Sequence, residues 1–214
     1  MKFGLVLVFA FLVSACAGTP ASVPTGLKGD AAAKRGLVFG SIGTVGHTTY
    51  SGFGLRYRML GSKEEGEFRF TNSWMPIANT EKDFDGLGGQ GSVFSANLPA
   101  GRYELFNVRF FENRGAGGTS TFTSKQDFSV PFTVEEGKAT YLGEFIARRM
   151  TGRNIIRIPV SAGAYYVVSD REERDHAVVQ KRGESVPRDA ILNVVSNVIQ
   201  AKVPLLRESV IPEE

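Results

Sequence analysis

One cysteine, one tryptophan and two histidines occur in 214 residues, and each scarcity excludes something. A lone thiol forms no intrachain disulfide and no multi-thiolate metal site. The histidines, His47 and His176, sit in unrelated surroundings, one in a Gly/Thr stretch and one in a charged stretch. None of H-E-x-x-H, G-x-S-x-G or G-x-x-x-x-G-K-[ST] occurs, so no zinc-protease helix, nucleophile elbow or P-loop is expected. The longest apolar run, 3–13, falls short of the ~20 residues that a membrane-spanning helix needs. The formal charge is only +3. Arg148-Arg149 and the stretch 171–174 are short, mixed with acids, and read as solvated surface rather than a nucleic-acid footprint. Neither a nucleic-acid partner nor a cofactor is expected.

The first residues are informative. Lys2 gives a positive start, 3–13 an apolar core, and Ser14-Ala15 a small pair before the single cysteine, Cys16. That order is the pattern of a secretory signal. Val13-Ser14-Ala15-Cys16 also resembles the bacterial lipobox. The resemblance implies cleavage after residue 15 and lipid on Cys16, whose thiolate is the group that can be alkylated. Ala17-Gly18 in place of an aspartate implies outer-membrane sorting. Lipidation at Cys16 then implies a bacterial envelope location with the membrane as partner, and a mature domain with no thiol. Residues 16–35, small, polar and punctuated by proline, read as a flexible tether.

Strand and turn residues dominate the rest of the chain. The sequence holds 25 glycines and 16 phenylalanines, a composition that favours β-branched and aromatic strands joined by tight turns. In 51–60, Phe53, Leu55, Tyr57 and Met59 alternate with Arg56 and Arg58, the period of a half-buried strand. Phe68 and Phe70 repeat it after a polar turn, so 51–71 reads as a hairpin. Leu98-Pro99-Ala100-Gly101 suits a type I turn and suggests a second hairpin. Its later strand places Tyr103, Leu105, Asn107, Arg109 and Phe111 on one face and Phe106, Val108 and Phe110 on the other. Glu135-Glu136-Gly137 suggests a third hairpin, with Gly137 in the left-handed region and Pro131 on an edge strand. Ser161-Ala162-Gly163 reads as the turn of a last pair, 154–160 with 164–169. Eight or nine short strands argue for an antiparallel β-sandwich over 36–168. "LPAGRYEL" and "FTVEEGKATYLGEF" resemble prealbumin-like and carboxypeptidase-regulatory-like modules, which implies an immunoglobulin/prealbumin-like sandwich and says little about activity. Over 169–214 a helical extension is expected: Ser169 and Glu172 fit a capping box, and 187–203 carries a helical stripe. Its β-branched residues keep a strand open there.

Candidate chemistry concentrates in the expected long loop 72–91. Glu81, Asp83 and Asp85 alternate before Gly86, as in the opening of an EF-hand, but the twelfth position is Ser92 where a bidentate Glu belongs. "GLGGQG" matches G-x-G-x-x-G without the helix that the mechanism requires. No metal is therefore assigned. Trp74 either caps the core or, with Met75, anchors a partner. The expectation is a non-enzymatic envelope lipoprotein, structural or protein- or glycan-binding. Its lead residues are Trp74, Met75, Glu81, Asp83 and Asp85 in loops 43–50, 72–91 and 112–125. A small-molecule or lipid carrier and a hydrolase with a spatially assembled site are the alternatives.

Overall fold

The computed structural model describes residues 19–28, 33–46, 50–75, 78–113, 118–153, 155–157, 159–184 and 186–209. The expected signal sequence 1–15, Cys16 and His47 lie outside the described residues. In chain order the elements are β1 (Ala21–Ser22), α1 (Thr25–Lys28), β2 (Arg35–Thr44), β3 (Tyr50–Met59), β4 (Glu65–Thr71), β5 (Phe84–Gly86), β6 (Gly89–Pro99) and β7 (Gly101–Asn113). Then come β8 (Thr119–Thr123), β9 (Val130–Val134), β10 (Ala139–Arg153), β11 (Pro159–Ser169), α2 (Glu172–Lys181), a 3₁₀ turn (Arg188–Ala190), β12 (Ile191–Asn193), α3 (Val195–Gln200) and β13 (Leu206–Glu208).

The strands form two sheets. The first has the order β1-β4-β3-β7-β8, with β9 also on β7; the second has the order β13-β11-β10-β2-β6-β5, with β12 also on β10. The first is antiparallel throughout. The second is mixed, because β10 runs parallel to β2 and β12, and β11 parallel to β13. The protein is thus mainly β, as expected, but not purely antiparallel.

The parallel pair has a local cause. The turn after β9 does not fold back within its sheet; it carries the chain across to the second sheet, where Gly137 donates to the Arg35 carbonyl at 2.9 Å and Leu37 to that of Lys138 at 2.9 Å. Strands β2 and β10 therefore start side by side and run the same way. Gly137 has φ 68°, the left-handed angle that its position in the turn suggested. Leu98–Gly101 is likewise a crossover, since β6 and β7 belong to different sheets. Two expected hairpins are in fact links between layers; their strands bury one face each against a facing sheet.

The first hairpin, β3–β4, is as expected, with Arg58 opposite Glu65. The last one is longer: Arg153 pairs with Pro159, and the register slips between Met150 and Thr151. Ser161-Ala162-Gly163 is therefore a bulge inside β11 and not a turn. Gly163 has φ 113°, and a β-carbon there would meet the Phe122 ring at 2.8 Å.

A second bulge corrects the face assignment of β7. The β3–β7 register shifts between Arg56 and Tyr57, leaving Phe106 as the extra residue. Parity flips at that point, so Tyr103, Leu105, Val108 and Phe110 all enter the core. Phe106 turns outward under Arg56 and Arg58, whose guanidinium carbons lie 4.8 and 4.5 Å from its ring centre. Pro131 on β9 occupies an edge, as its missing donor requires.

One apolar core lies between the layers. Phe68 of β4 stacks on Phe94 of β6 at 4.2 Å, and Phe110 of β7 meets Tyr166 of β11 at 5.0 Å. The Tyr166 hydroxyl donates across the core to the Gly54 carbonyl at 3.3 Å.

Both flanking segments are part of this body. Within the expected tether, Ala21 pairs with Phe68, and Leu27 is buried. Within the expected helical extension, β12 and β13 complete the second sheet, and 187–203 splits into a 3₁₀ turn, a strand and α3. Its apolar stripe nonetheless packs on the core through Ile191, Val194, Val195, Val198 and Ile199. The capping box does not form. Ser169 Oγ donates to Glu144 instead, and the Asp170 carboxylate accepts from the Glu172 amide at 3.0 Å.

Burial raises the phenol pKa of four core tyrosines above the ordinary 10.0: Tyr57, Tyr103, Tyr141 and Tyr166, with Tyr103 pushed up to about 12. A raised folded value means that their contribution to stability is intact below pH 10 and is lost as pH climbs through the folded values. The four should ionise only with unfolding. Phenolate absorbance and circular dichroism followed together should move as one above pH 10. Ionisation of all six tyrosines near pH 10 with unchanged circular dichroism would contradict this packing.

Candidate functional site

The sequence-predicted residues do not converge. Trp74 is 83% exposed and does not cap the core. Met75 is half-buried, its amide donating to Ser73 Oγ at 3.1 Å. Glu81 is exposed. The Asp83 carboxylate turns inward and accepts from Ser92 Oγ at 2.8 Å, the Val93 amide at 2.7 Å and Arg182 of the α2 end at 2.7 Å. Asp85 faces Lys82 at 3.4 Å. The expected loop 72–91 contains a tight hairpin, with Gly86 opposite Gly89, and this accounts for the glycine-rich match. Among the described residues no group of three His, Cys, Asp or Glu side chains is placed to hold a metal ion. His176 is buried, its Nε2 2.8 Å from the Val186 carbonyl.

Two constellations escaped the sequence reading. The first sits under α2 on the outer face of the second sheet. Asp175 is fully buried and accepts from Ser41 Oγ at 2.7 Å, the Tyr141 hydroxyl at 3.1 Å and Arg174 Nε at 2.9 Å. Burial pushes its carboxyl pKa up, against the opposing pull of Arg174 and the two hydroxyls. Arg174 also donates to Glu144 at 2.7 Å and lies 4.0 Å from the Phe84 ring centre, so the stretch 171–174 is not merely solvated. A cleft of about 310 Å³ opens beside it, walled by Asp85, Arg148 and Arg171. Every hydrogen-bonding arm of Arg174 is already engaged, and the serines donate to carboxylates rather than to a histidine. The cluster works as a clasp that fastens α2 to the sheet: breaking one partner of such a buried pair costs roughly 3–5 kcal/mol.

The second lies on the outer face of the first sheet. Because Phe53 and Leu55 point into the core, Gly52 and Gly54 point outward and leave a side-chain-free floor on β3. Glu67 overhangs Gly54 from β4, and Phe111 borders Gly52 from β7. Around them Arg69, Arg109 and Thr121 enclose a cleft of about 490 Å³. One Glu67 oxygen accepts from Arg109. The other, Oε1, is buried without a hydrogen-bond partner among the described residues. A carboxylate oxygen left so costs about 1–3 kcal/mol or more, which a donor would recover by drawing the Glu67 side chain off Gly54 into the cleft. Glu184 Oε2 is also buried without a partner among the described residues, but the cleft that Glu184 lines has no aromatic side chain in its wall. Phe111 is 37% exposed and offers a flat apolar surface beside the floor. The signal in the sequence was Gly52 and Gly54 at alternate outward positions of a strand, which marks a close approach.

No family model matches the sequence, and no curated protein matches it. Among solved structures, a leucine-rich repeat protein from Bacteroides thetaiotaomicron matches with 15% identity and a TM-score of 0.32; the match covers 53% of this chain and 14% of that one.

Asp83 has a structural duty, so its removal should act on folding. Asp83→Ala leaves the Val93 amide, Ser92 and Arg182 short of an acceptor and should cost roughly 2–4 kcal/mol in urea unfolding. Added calcium should leave the wild-type melting temperature unchanged; a calcium-dependent rise would restore the acidic stretch as an ion site.

Proposed function

We propose that this chain is a non-enzymatic lipoprotein of the bacterial envelope, anchored through Cys16, with a prealbumin-like sandwich that binds a glycan on the outer face of its first sheet. The observation that carries the binding reading is Glu67 Oε1, a buried acceptor with no donor among the described residues, over a glycine floor and beside Phe111. A sugar has the matching chemistry. One hydroxyl satisfies the carboxylate, neighbouring hydroxyls accept from Arg69 and Arg109, and an apolar ring face lies on the phenyl group. The cleft also adjoins two loops where recognition was expected, 72–91 after Thr71 and 112–125 through Thr121.

A carrier role finds less support. The space between the sheets is filled by large side chains, among them Phe68, Phe94, Phe110 and Tyr166, all fully buried. A hydrolase reading lacks a histidine beside Ser41 or Ser169 among the described residues, since His176 is engaged with Val186.

The anchor reading gains a geometric consequence. Arg69 Nε bonds to the Thr19 carbonyl at 2.8 Å, and only residues 17 and 18 separate Thr19 from Cys16. At ~3.6 Å per residue, a lipidated Cys16 would hold Thr19 within about 11 Å of the bilayer, not on a long leash.

Two measurements test these readings separately. Cys16→Ser should move the protein from the membrane to the soluble fraction and abolish incorporation of labelled fatty acid; unchanged fractionation would remove the anchor. Glu67→Ala and Phe111→Ala should each weaken binding to isolated envelope glycan by tenfold or more with the urea midpoint of Phe111→Ala unaltered. Retained binding in both variants would move recognition elsewhere.

A further inference from the structure

One end of the molecule collects the exposed apolar side chains. At that end lie Thr44 of β2, Gly89 of β6 and the far half of β10, as Thr44 pairs with both Ala147 and Gln90. In the first sheet the same end holds Tyr50, Thr71 and Glu112, through Gly52 opposite Thr71 and Tyr50 opposite Glu112. The proximity of Gly163 to Phe122 ties the two sheets together there. Leu87 comes after β5 at this end, and Trp74 after β4. Among the described residues, Leu87 is 109% exposed and Ile155 102%, with Ile156 at 72%; Leu60 is at the opposite end, on the β3–β4 turn.

Beyond Ala147, β10 keeps only β11 as a partner strand among the described residues, so 151–153 and 159–161, past the Gly163–Phe122 contact, project as a two-stranded ribbon with Ile155 and Ile156 at its tip. A free ribbon of this kind is marginal alone and is suited to resting on something. Its charge says what. From 145 to 169 the sequence holds Arg148, Arg149, Arg153 and Arg157 and no acid. Arg149, Arg153 and Arg157 are exposed. The chain leaves the domain toward the same end: β1 is antiparallel to β4, so the path from Ser22 back to Thr19 runs toward Thr71.

We propose that this end docks on an anionic bilayer surface, with Ile155 and Ile156 entering the interface and Arg149, Arg153 and Arg157 against lipid headgroups. Apolar tips flanked by cations bind anionic lipid by two additive contributions, burial and charge. The orientation, with this end toward the anchoring membrane, rests on the Cys16 reading; the docking itself does not. Combined with one acyl group or more, the ribbon supplies the second contact that makes attachment stable, and it leaves the outer face of the first sheet running along the membrane normal.

The processed chain carrying Cys16→Ser tests docking without the anchor. It should sediment with vesicles of mixed phosphatidylglycerol and phosphatidylcholine but not with phosphatidylcholine alone, and salt should release it. The triple variant Arg149→Glu, Arg153→Glu, Arg157→Glu should lose roughly 100-fold or more in partition. In the same cysteine-free background, a polarity-sensitive dye on Ile155→Cys should shift to the blue with anionic vesicles, and one on Leu60→Cys should not. All these side chains are exposed, and near-ultraviolet circular dichroism checks that the fold is intact. Binding that is indifferent to lipid charge, equal shifts at both positions, or no vesicle binding at all would overturn the proposal. Loss of a co-purifying envelope protein from the triple variant, without vesicle binding by the parent, would overturn it too and assign the ribbon to a protein partner.

Discussion

Phe68 stacked on Phe94 is the contact through which the two sheets become one body. Each ring belongs to a different layer, and the same seam continues through Phe110 and Tyr166. An aromatic pair adds about 0.5–1.5 kcal/mol beyond its buried area, and truncating such a ring costs roughly 3–5 kcal/mol. The seam also explains why links that look like hairpins cross between layers. A chain that leaves β6 with one face buried can keep the next strand's aromatic face buried by joining the opposite sheet.

That crossing fixes what the outer faces can do. With the large apolar groups committed inward, the outer face of β3 carries glycines and arginines, and the neighbouring strands supply Glu67, Arg109 and Phe111 around a floor. The other outer face is closed by α2, held by the Asp175–Arg174–Glu144 clasp. One face is therefore covered and the other open. The open one holds the buried oxygen that no described residue satisfies, which is where polar recognition gains most.

Several features were legible because they depend on near neighbours. The alternation of Phe53, Leu55 and Tyr57, the edge position of Pro131 and the left-handed Gly137 arise from backbone sterics and period-two patterning. The site was not legible in this way. Glu81, Asp83 and Asp85 looked like ligands because they alternate, yet Asp83 turned to Arg182, 99 positions away. Asp175 and Ser41 are 134 apart, and nothing local pairs them. Phe106 was misplaced because a single inserted residue reverses every later side chain, and a bulge leaves no fixed mark in composition.

The sequence by itself determined that the chain is mainly β, where its strands alternate, and that its one cysteine sits at the end of a signal-like apolar run. Tertiary structure alone decided which strands pair, that β2 and β10 run parallel, that the segments flanking 36–168 join the sheets, and that one Glu67 oxygen has no partner among the described residues. The reason is range. Side-chain alternation is a property of consecutive residues, whereas pairing and burial depend on which distant segments compete for the same apolar face.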